Sequence, residues 1–281
     1  MKVWDVQHGL AIHVETPNGR MIVVDLGVGD ITAALPNFSP IRYLASQGIS
    51  TIDYLIVTHP HRDHLDDILN LNPPYVHVLH RPRHLNEPAI RSGNRTRDSE
   101  VITRFLQMDA HFVNPVPAGS STGTPANFGG VEIAFFQPTS CPLDNLNDHS
   151  TVVFFRYAGR TVLVPGDNES PSWRELLAYR AFRDWLQTVN VMIAPHHGRE
   201  AGYCEDLFEI CSPQLVIASD GPGSDTSAVQ KYRTKSAGWP VRSRANHTHE
   251  DRFVLTTHHD GTIQIAIDWL NGVGVMDVSR E

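Results

Sequence analysis

Residues 52–70 read IDYLIVTHPHRDHLDDILN, an apolar run that stops abruptly in His59, His61, Asp63 and His64. A near-continuous apolar run of this kind is a strand buried on both faces. The polar cluster therefore falls where a rigid element gives way to a loop. Three imidazoles and a carboxylate this close repel and crowd one another if they all charge, so they need something between them. Neutral imidazole nitrogen and carboxylate oxygen together suit zinc, manganese or iron. The lack of a cysteine nearby argues against a thiolate-rich structural zinc site.

The same arrangement recurs along the chain. IVVDLG ends in Asp25, TVLVPGD in Asp167, and VMIAPHH in His196 and His197. A fifth candidate, His149 in NLNDHSTVVFF, lies where a strand begins. Ligands carried on strand ends can converge on one rim, and strands are stiff enough to fix their geometry. Each of these residues alone reads as an ordinary loop residue, and His149 as readily so as not. Beside the cluster at 59–64, the set reads as metal ligands.

The rest of the pattern gives the fold. A strand pair turns at Pro17-Asn18-Gly19, and a short helix over 39–49 has Ser39 as cap and Pro40 in its first turn. LDDILNL starts a helix, YVHVLHR is a strand, and helical character returns around 98–110. A Gly/Ser/Thr/Pro-rich loop spans 115–127. VEIAFFQP, STVVFFRYAG and RTVLVPGD are strands, followed by a helix over 173–187, the strand of VNVMIAPHHG, a helix over 201–211 and the strand QLVIASDG. The C-terminal RFVLTTHHDGTIQIAID reads as a hairpin turning at Asp260-Gly261. This order predicts an α/β fold, an αββα sandwich of two mixed sheets with outer helices, as one domain over residues 1–281.

Composition excludes several classes. Hydrophobic residues make up 41% of the 281, enough for a real core rather than a disordered chain. There is no apolar run of about 18 residues to span a membrane. The N-terminus shows no secretory signal. The three cysteines suit buried thiols better than disulfides, so a reducing cytoplasm is expected. A net charge of −8 argues against a wholly basic nucleic-acid coat, although local patches decide binding.

T-H-P-H-R-D-H, followed in order by G-D and H-H-G, resembles the signature of the metallo-β-lactamase fold hydrolases. The opening WDVQHGLAIHVETPNGRMIVVDLG is similar to that of the ComEC-like branch, whose members include DNA-uptake nuclease domains, and the terminal H-x-D-G-T-I-Q-I fits that branch too. The likeness covers about residues 1–267. It implies two divalent metal ions, zinc or manganese. His59 and His61 would hold the first, with His149 as a possible third ligand. Asp63 and His64 would hold the second, with one or both of His196 and His197. Asp167 would bridge the two, and Asp25 would support the metal-binding loops without touching a metal. Asp66 and Asp67 stand where the family often has two glycines. They read either as helix first-turn carboxylates or as partners of ligand histidines. His8 either faces the metal rim or is a loop histidine.

Two metals imply hydrolysis by an activated water, with Asp63 and Asp167 as its carboxylates; no GxxxxGK[ST] loop competes for the role. Two basic stretches bear on the substrate. Residues 81–97 carry five arginines, among them Arg91, Arg95 and Arg97, and residues 231–244 carry five basic residues, among them Lys231 and Arg233, with Tyr232 and Trp239 interleaved. Arginine forks suit phosphate oxygens, and aromatics can stack on bases; the alternative is two solvated surface runs. A phosphodiesterase or nuclease acting on DNA is therefore expected. The alternatives are a small-molecule hydrolase of the same fold, cleaving a cyclic nucleotide, lactone or thioester, and a non-catalytic binding module.

Overall fold

In the strand Met21–Val24 all four side chains are buried. Successive side chains of a strand point to opposite faces, so such a strand must be covered on both sides. Ile22 and Val24 enter a core shared with Val153, Phe155, Val162, Val164, Val191 and Ile193, residues of a second sheet. Met21 and Val23 face the other way, onto Ile41, Leu44, Ile102 and Phe105 of outer helices. The second sheet repeats the scheme, with Phe154, Leu163 and Met192 packed under Trp173, Leu176 and Phe182. The layers are helix, sheet, sheet, helix, as expected.

The computed structural model describes residues 1–29, 38–72, 74–221 and 226–281. Among them, one sheet has nine strands, running from His249–Arg252 and Trp239–Ser243 at one edge to Tyr54–Ile56 and Leu79–His80 at the other. The other has six, in the order Val254–Thr256, Leu215–Ala218, Val189–Ile193, Arg160–Val164, Val152–Tyr157, Glu132–Phe136. Both sheets mix parallel and antiparallel pairs. The turn at Pro17-Asn18-Gly19 does join antiparallel strands, Ile12–Glu15 and Met21–Val24. No helix among the described residues is long and apolar enough to cross a membrane.

Four local expectations are corrected. The segment at Asp260-Gly261 is not a hairpin turn. Val254–Thr256 pairs within the six-stranded sheet and Ile263–Leu270 within the nine-stranded one, with a short helix Thr257–Asp260 carrying the chain across. The hairpin that exists joins Ile263–Leu270 to Val273–Arg280, turning at Asn271, which adopts φ 52°. Residues 201–211 form two 3-10 turns, Glu200–Gly202 and Glu205–Glu209, and Cys204 and Cys211 are buried there as free thiols. The expected helix at 173–187 is two, Ser170–Ala178 and Arg180–Leu186, broken where Tyr179 turns extended. YVHVLHR splits into Tyr75–Val76, paired with Thr51–Ile52, and Leu79–His80, paired with Tyr54–Ile56.

Asp66 and Asp67 lie in a 3-10 turn, Asp66–Asn70, and neither bonds a histidine of the cluster. Asp66 pairs with Arg62 at 2.8 Å. Asp67 is fully buried and accepts from the Ile41 amide at 2.8 Å and from Asn70 Nδ2 at 2.7 Å. It also accepts from Ser39 Oγ, the cap of helix Pro40–Ser46. Asp67 thus fixes the entry of that helix onto the sheet. Asp67→Ala strands a buried amide, and we expect it to lower stability by about 1–3 kcal/mol in chemical denaturation. Asp66→Ala loses only a partly exposed pair and should cost under about 1 kcal/mol. Equal losses would remove the distinction.

Candidate metal centre

Five strands deliver their C-terminal ends to one rim. Met21–Val24 and Tyr54–Ile56, parallel in the nine-stranded sheet, lead to Asp25 and to Thr58-His59. Arg160–Val164, Val189–Ile193 and Leu215–Ala218, parallel in the other sheet, lead to Asp167, to His196-His197 and to Ser219. A backbone contact locks the two groups together, Thr151 N donating to Thr58 O at 2.8 Å, and within the second group His196 N donates to Gly166 O at 3.2 Å. Gly166 has φ +61°, and a Cβ there would lie 2.8 Å from Thr58 Cβ. Gly9, at φ +127°, comes so near that a Cβ would stand 2.4 Å from the Asp63 carbonyl oxygen. Only glycine allows both the conformation and the approach.

The backbone here is strained. Of the seven non-glycine residues with positive φ among those described, Gln7, Asp25, His196 and His197 belong to this rim. His196 and His197 are consecutive, at φ 49° and 58°. Each left-handed residue costs roughly 1–2 kcal/mol, and such strain persists where surrounding structure enforces it, as at functional sites.

Asp63, His64, Asp167 and His197 each aim one donor atom at a common point, all within 4.8 Å of one another. His64 Nε2 lies 3.3 Å from His197 Nε2 and 3.3 Å from Asp167 Oδ1. His197 Nε2 lies 3.3 Å from Asp167 Oδ2 and 3.4 Å from Asp63 Oδ2. The outer nitrogens are committed: His64 Nδ1 donates to Asp25 Oδ2 at 2.7 Å, and His197 Nδ1 to the Ser219 carbonyl at 3.1 Å. With hydrogen on Nδ1, each neutral ring presents a lone pair inward. Two lone pairs facing at this distance need a proton or a cation between them.

The second half of the cluster is built from the same carboxylate. Asp25 accepts from the Thr58 amide at 2.7 Å and its hydroxyl at 2.6 Å. That hydroxyl, having given its hydrogen away, accepts from His59 Nδ1 at 3.2 Å. His59 Nε2 is left facing His61 Nδ1 at 3.0 Å and Asp167 Oδ2 at 3.9 Å. Asp167 thus stands between two groups of donors, His59 with His61 and Asp63 with His64 and His197. Asp25 orients a ring in each without entering either.

Electrostatics agree with a cationic occupant. Burial opposes a charged His64, but Asp167, Asp25 and Asp63 outweigh it and raise its pKa well above the usual range. His197 is raised to about 9, burial being overcome by Asp167 and Asp63. Burial would raise Asp63 and Asp167, yet the facing His64 and His197 pull both well below the carboxylate range. Burial lowers His59. Three buried or half-buried carboxylates gather around these rings, and divalent metal in place of protons satisfies that charge.

His196 and His149 do not join this arrangement. His196 Nε2 accepts from Arg199 Nη1 at 3.0 Å, and its Nδ1 lies 3.0 Å from Glu169 Oε1, off the line of a well-aligned hydrogen bond. It approaches Asp167 only to 3.8 Å. His149 is fully buried with both ring nitrogens engaged elsewhere, Nδ1 with His84 at 2.8 Å and Nε2 near the Pro142 carbonyl at 3.1 Å. His8 does face the rim, its Nε2 3.2 Å from Asp63 Oδ2.

A cleft of about 500 Å³ opens beside the cluster, and His8, His61, Asp63, Asp167, Arg95, Arg97 and Arg199 are among its lining residues. Asn94 Nδ2 donates to the Pro60 carbonyl at 2.9 Å, tying the Arg95–Arg97 segment to the histidine loop. Arg91 is instead bound to Glu87 at 2.7 Å and does not line the cleft. The second basic stretch reads differently in three dimensions. Lys231 and Lys235 pair with Glu200 and Glu205, and Arg233 lies over the Phe253 ring in a separate hollow. Tyr232 is buried in the core and cannot stack on a base, and Trp239 lies under Arg160.

Sequence reasoning passed over Thr58, Glu169, Arg199 and Ser219. Thr58 and Arg199 adjoin the histidine motifs, Glu169 lies two residues after G-D, and Ser219 ends a fifth strand at the same rim. The signal was adjacency to the strand ends already singled out.

A family model described as the metallo-beta-lactamase superfamily matches residues 4–203. Comparison with curated proteins gives no match. Among solved structures, a diphosphatase from the PhnP family is 14% identical over 92% of this chain and 85% of its own, with a TM-score of 0.44. Zinc-bound PqqB from Methylobacterium extorquens is 12% identical over 90% and 86%, at a TM-score of 0.45. An isothiocyanate hydrolase from Delia radicum gut bacteria is 11% identical over 93% and 98%, at 0.46. These likenesses add nothing about substrate, and the assignment rests on the match over residues 4–203, within which the whole histidine and aspartate cluster falls. The chain belongs to the metallo-beta-lactamase superfamily.

Proposed function

We propose that this chain is a metal-dependent phosphodiesterase of the ComEC-like branch, one cytoplasmic domain over residues 1–281 that takes two divalent ions, zinc or manganese, and cleaves DNA. The observation that carries the reading is a shared cleft: Arg95, Arg97 and Arg199 line the same opening as His61, Asp63 and Asp167. Anion-binding forks beside a metal cluster suit a phosphate-centred substrate. Free thiols at Cys141, Cys204 and Cys211 agree with a reducing setting.

When bound, the two ions supply an activated water and offset charge on the phosphate oxygens. The chain does the rest. Asp167 spans both groups of donors and keeps them in register. Asp63, a quarter exposed and next to His8, is the carboxylate of the cluster that a water entering from the cleft meets first. Arg95 and Arg97 draw the phosphodiester backbone toward that point.

A small phosphodiester, such as a cyclic nucleotide, is the second reading. It is favoured by the paired Lys231 and Lys235 and the buried Tyr232, which leave no second basic track for a long strand. A panel of single- and double-stranded DNA, RNA and cyclic nucleotides, with zinc or manganese added, separates the two. If every phosphodiester stays intact, the proposal falls.

Asp167→Ala should abolish hydrolysis of bis-p-nitrophenyl phosphate and lower bound metal in elemental analysis. Asp25→Asn, which touches no donor atom of the cluster but releases His64 and Thr58, should weaken metal binding about 10–100-fold in a chelator competition. Arg95→Ala with Arg97→Ala should reduce DNA cleavage at least tenfold more than it reduces turnover of the small diester, and should flatten the salt dependence of DNA binding. Equal losses on both substrates would argue against contact between these arginines and DNA.

A further inference from the structure

Arg199 sits in the loop after His196-His197-Gly198 with its main chain held on both sides: its amide donates to the His196 carbonyl at 2.9 Å, and its carbonyl accepts from Gly202 N at 3.2 Å. Its guanidinium is held too, Nη1 donating to His196 Nε2 at 3.0 Å. His196 is anchored in turn beside Glu169, whose carboxylate accepts from Asn147 Nδ2 at 2.9 Å and Asn145 Nδ2 at 3.2 Å. The arginine within the histidine loop itself is neutralised: Arg62 meets Asp66 at 2.8 Å and Asp98 at 3.2 Å. Among the described residues no carboxylate lies within ion-pair distance of Arg199. Its Nε–H is buried without a hydrogen-bond partner. A buried donor left unmade costs about 1–3 kcal/mol, and here it belongs to a permanent cation lining the cleft with Asp167 and His196.

We propose that Arg199 is the substrate-anion receptor of the cleft, presenting the cleft-facing end of its guanidinium, beyond the Nη1 held by His196, to a non-bridging oxygen of the phosphoryl group beside the metal centre. The identification of the anion as a phosphoryl group rests on the phosphodiesterase reading. His196 and Glu169 act behind it as positioning residues. The device selects anionic over neutral substrates, because a neutral lactone or ester leaves the charge unanswered. It also accounts for two histidines in succession of which only His197 reaches the donor cluster.

The test uses inorganic phosphate as probe, titrated calorimetrically into the metal-loaded wild type, Arg199→Gln and Arg199→Lys, with metal content measured on each and kcat and KM determined on bis-p-nitrophenyl phosphate. Loss of a charge-assisted hydrogen bond should weaken phosphate binding about tenfold or more in Arg199→Gln. KM should rise by a similar factor, metal content should be unchanged, and Arg199→Lys should recover part of the affinity, since it keeps the charge but not the fork. Unaltered phosphate affinity in Arg199→Gln overturns the proposal, as does a fall in affinity matched by loss of metal. If the wild type cleaves no phosphodiester while its phosphate affinity still depends on Arg199, the receptor stands and the phosphodiesterase reading falls. If diesters are cleaved and phosphate affinity ignores Arg199, the reverse holds.

Discussion

The site depends on one buried carboxylate that none of its chemistry needs to touch. Asp25 ends the strand Met21–Val24 in a left-handed conformation and spends its two oxygens on the Thr58 amide, the Thr58 hydroxyl and His64 Nδ1. Burial pushes its pKa up, and His64 and Thr58 pull back. Each such bond to a charged group is worth about 1.5–3 kcal/mol net, which offsets taking the carboxylate out of water. The consequence is directional. One bond fixes the tautomer of His64, and the second, relayed through the Thr58 hydroxyl, fixes that of His59. A single residue on one strand thereby turns two rings on the neighbouring strand end toward Asp167, which arrives from the other sheet.

That coupling explains why the sandwich places the centre where it does. Asp25, His59 and His64 come from the nine-stranded sheet, and Asp167 and His197 from the six-stranded one. Neither sheet alone holds the cluster. The shared core of Ile22, Val24, Val162, Val164, Val191 and Ile193 sets the spacing between the sheets. Close-packed interiors transmit small volume changes as strain, so packing between the sheets controls the distance between donor groups. The glycines at positions 9 and 166 serve the same end, since each lets one segment of the rim approach another more closely than a side chain would permit.

Much of the fold and part of the site could be read in advance, and the boundary between the two is physical. Strands buried on both faces announce themselves as unbroken apolar runs, and the layer order followed from them. The histidine motif announces itself by composition, since imidazoles gather at such density only around something. Local helix type was less legible, because the backbone of 65–71 and 201–211 is drawn into tertiary bonds, Asp67 N donating to the Leu26 carbonyl at 2.7 Å and the Gly202 carbonyl accepting from Trp173 Nε1 at 3.1 Å. The last turn was misread for a related reason. Asp-Gly is a good hairpin signal in isolation, but Val254–Thr256 and Ile263–Leu270 bury their faces against different neighbours, and burial decides pairing.

Charge was the least legible quantity, and the two basic stretches show why. A sequence displays charges in order but not their partners. Lys231 and Lys235 are countered by Glu200 and Glu205, which lie 31 and 30 residues earlier and come from two successive 3-10 turns. Arg95 and Arg97 reach the cleft because Asn94 grips the Pro60 carbonyl, a contact with no pattern to reveal it. Arg199 stood as a single arginine, followed at once by Glu200, and gave no basic patch to notice. In the folded protein the ranking inverts: the dense second run is largely neutralised, and among the described residues the isolated Arg199 joins Arg95 as a cleft cation left without a counter-ion. For recognition of an anion, what matters is which positive charge the fold leaves unanswered, and that is a property of tertiary pairing rather than of local density.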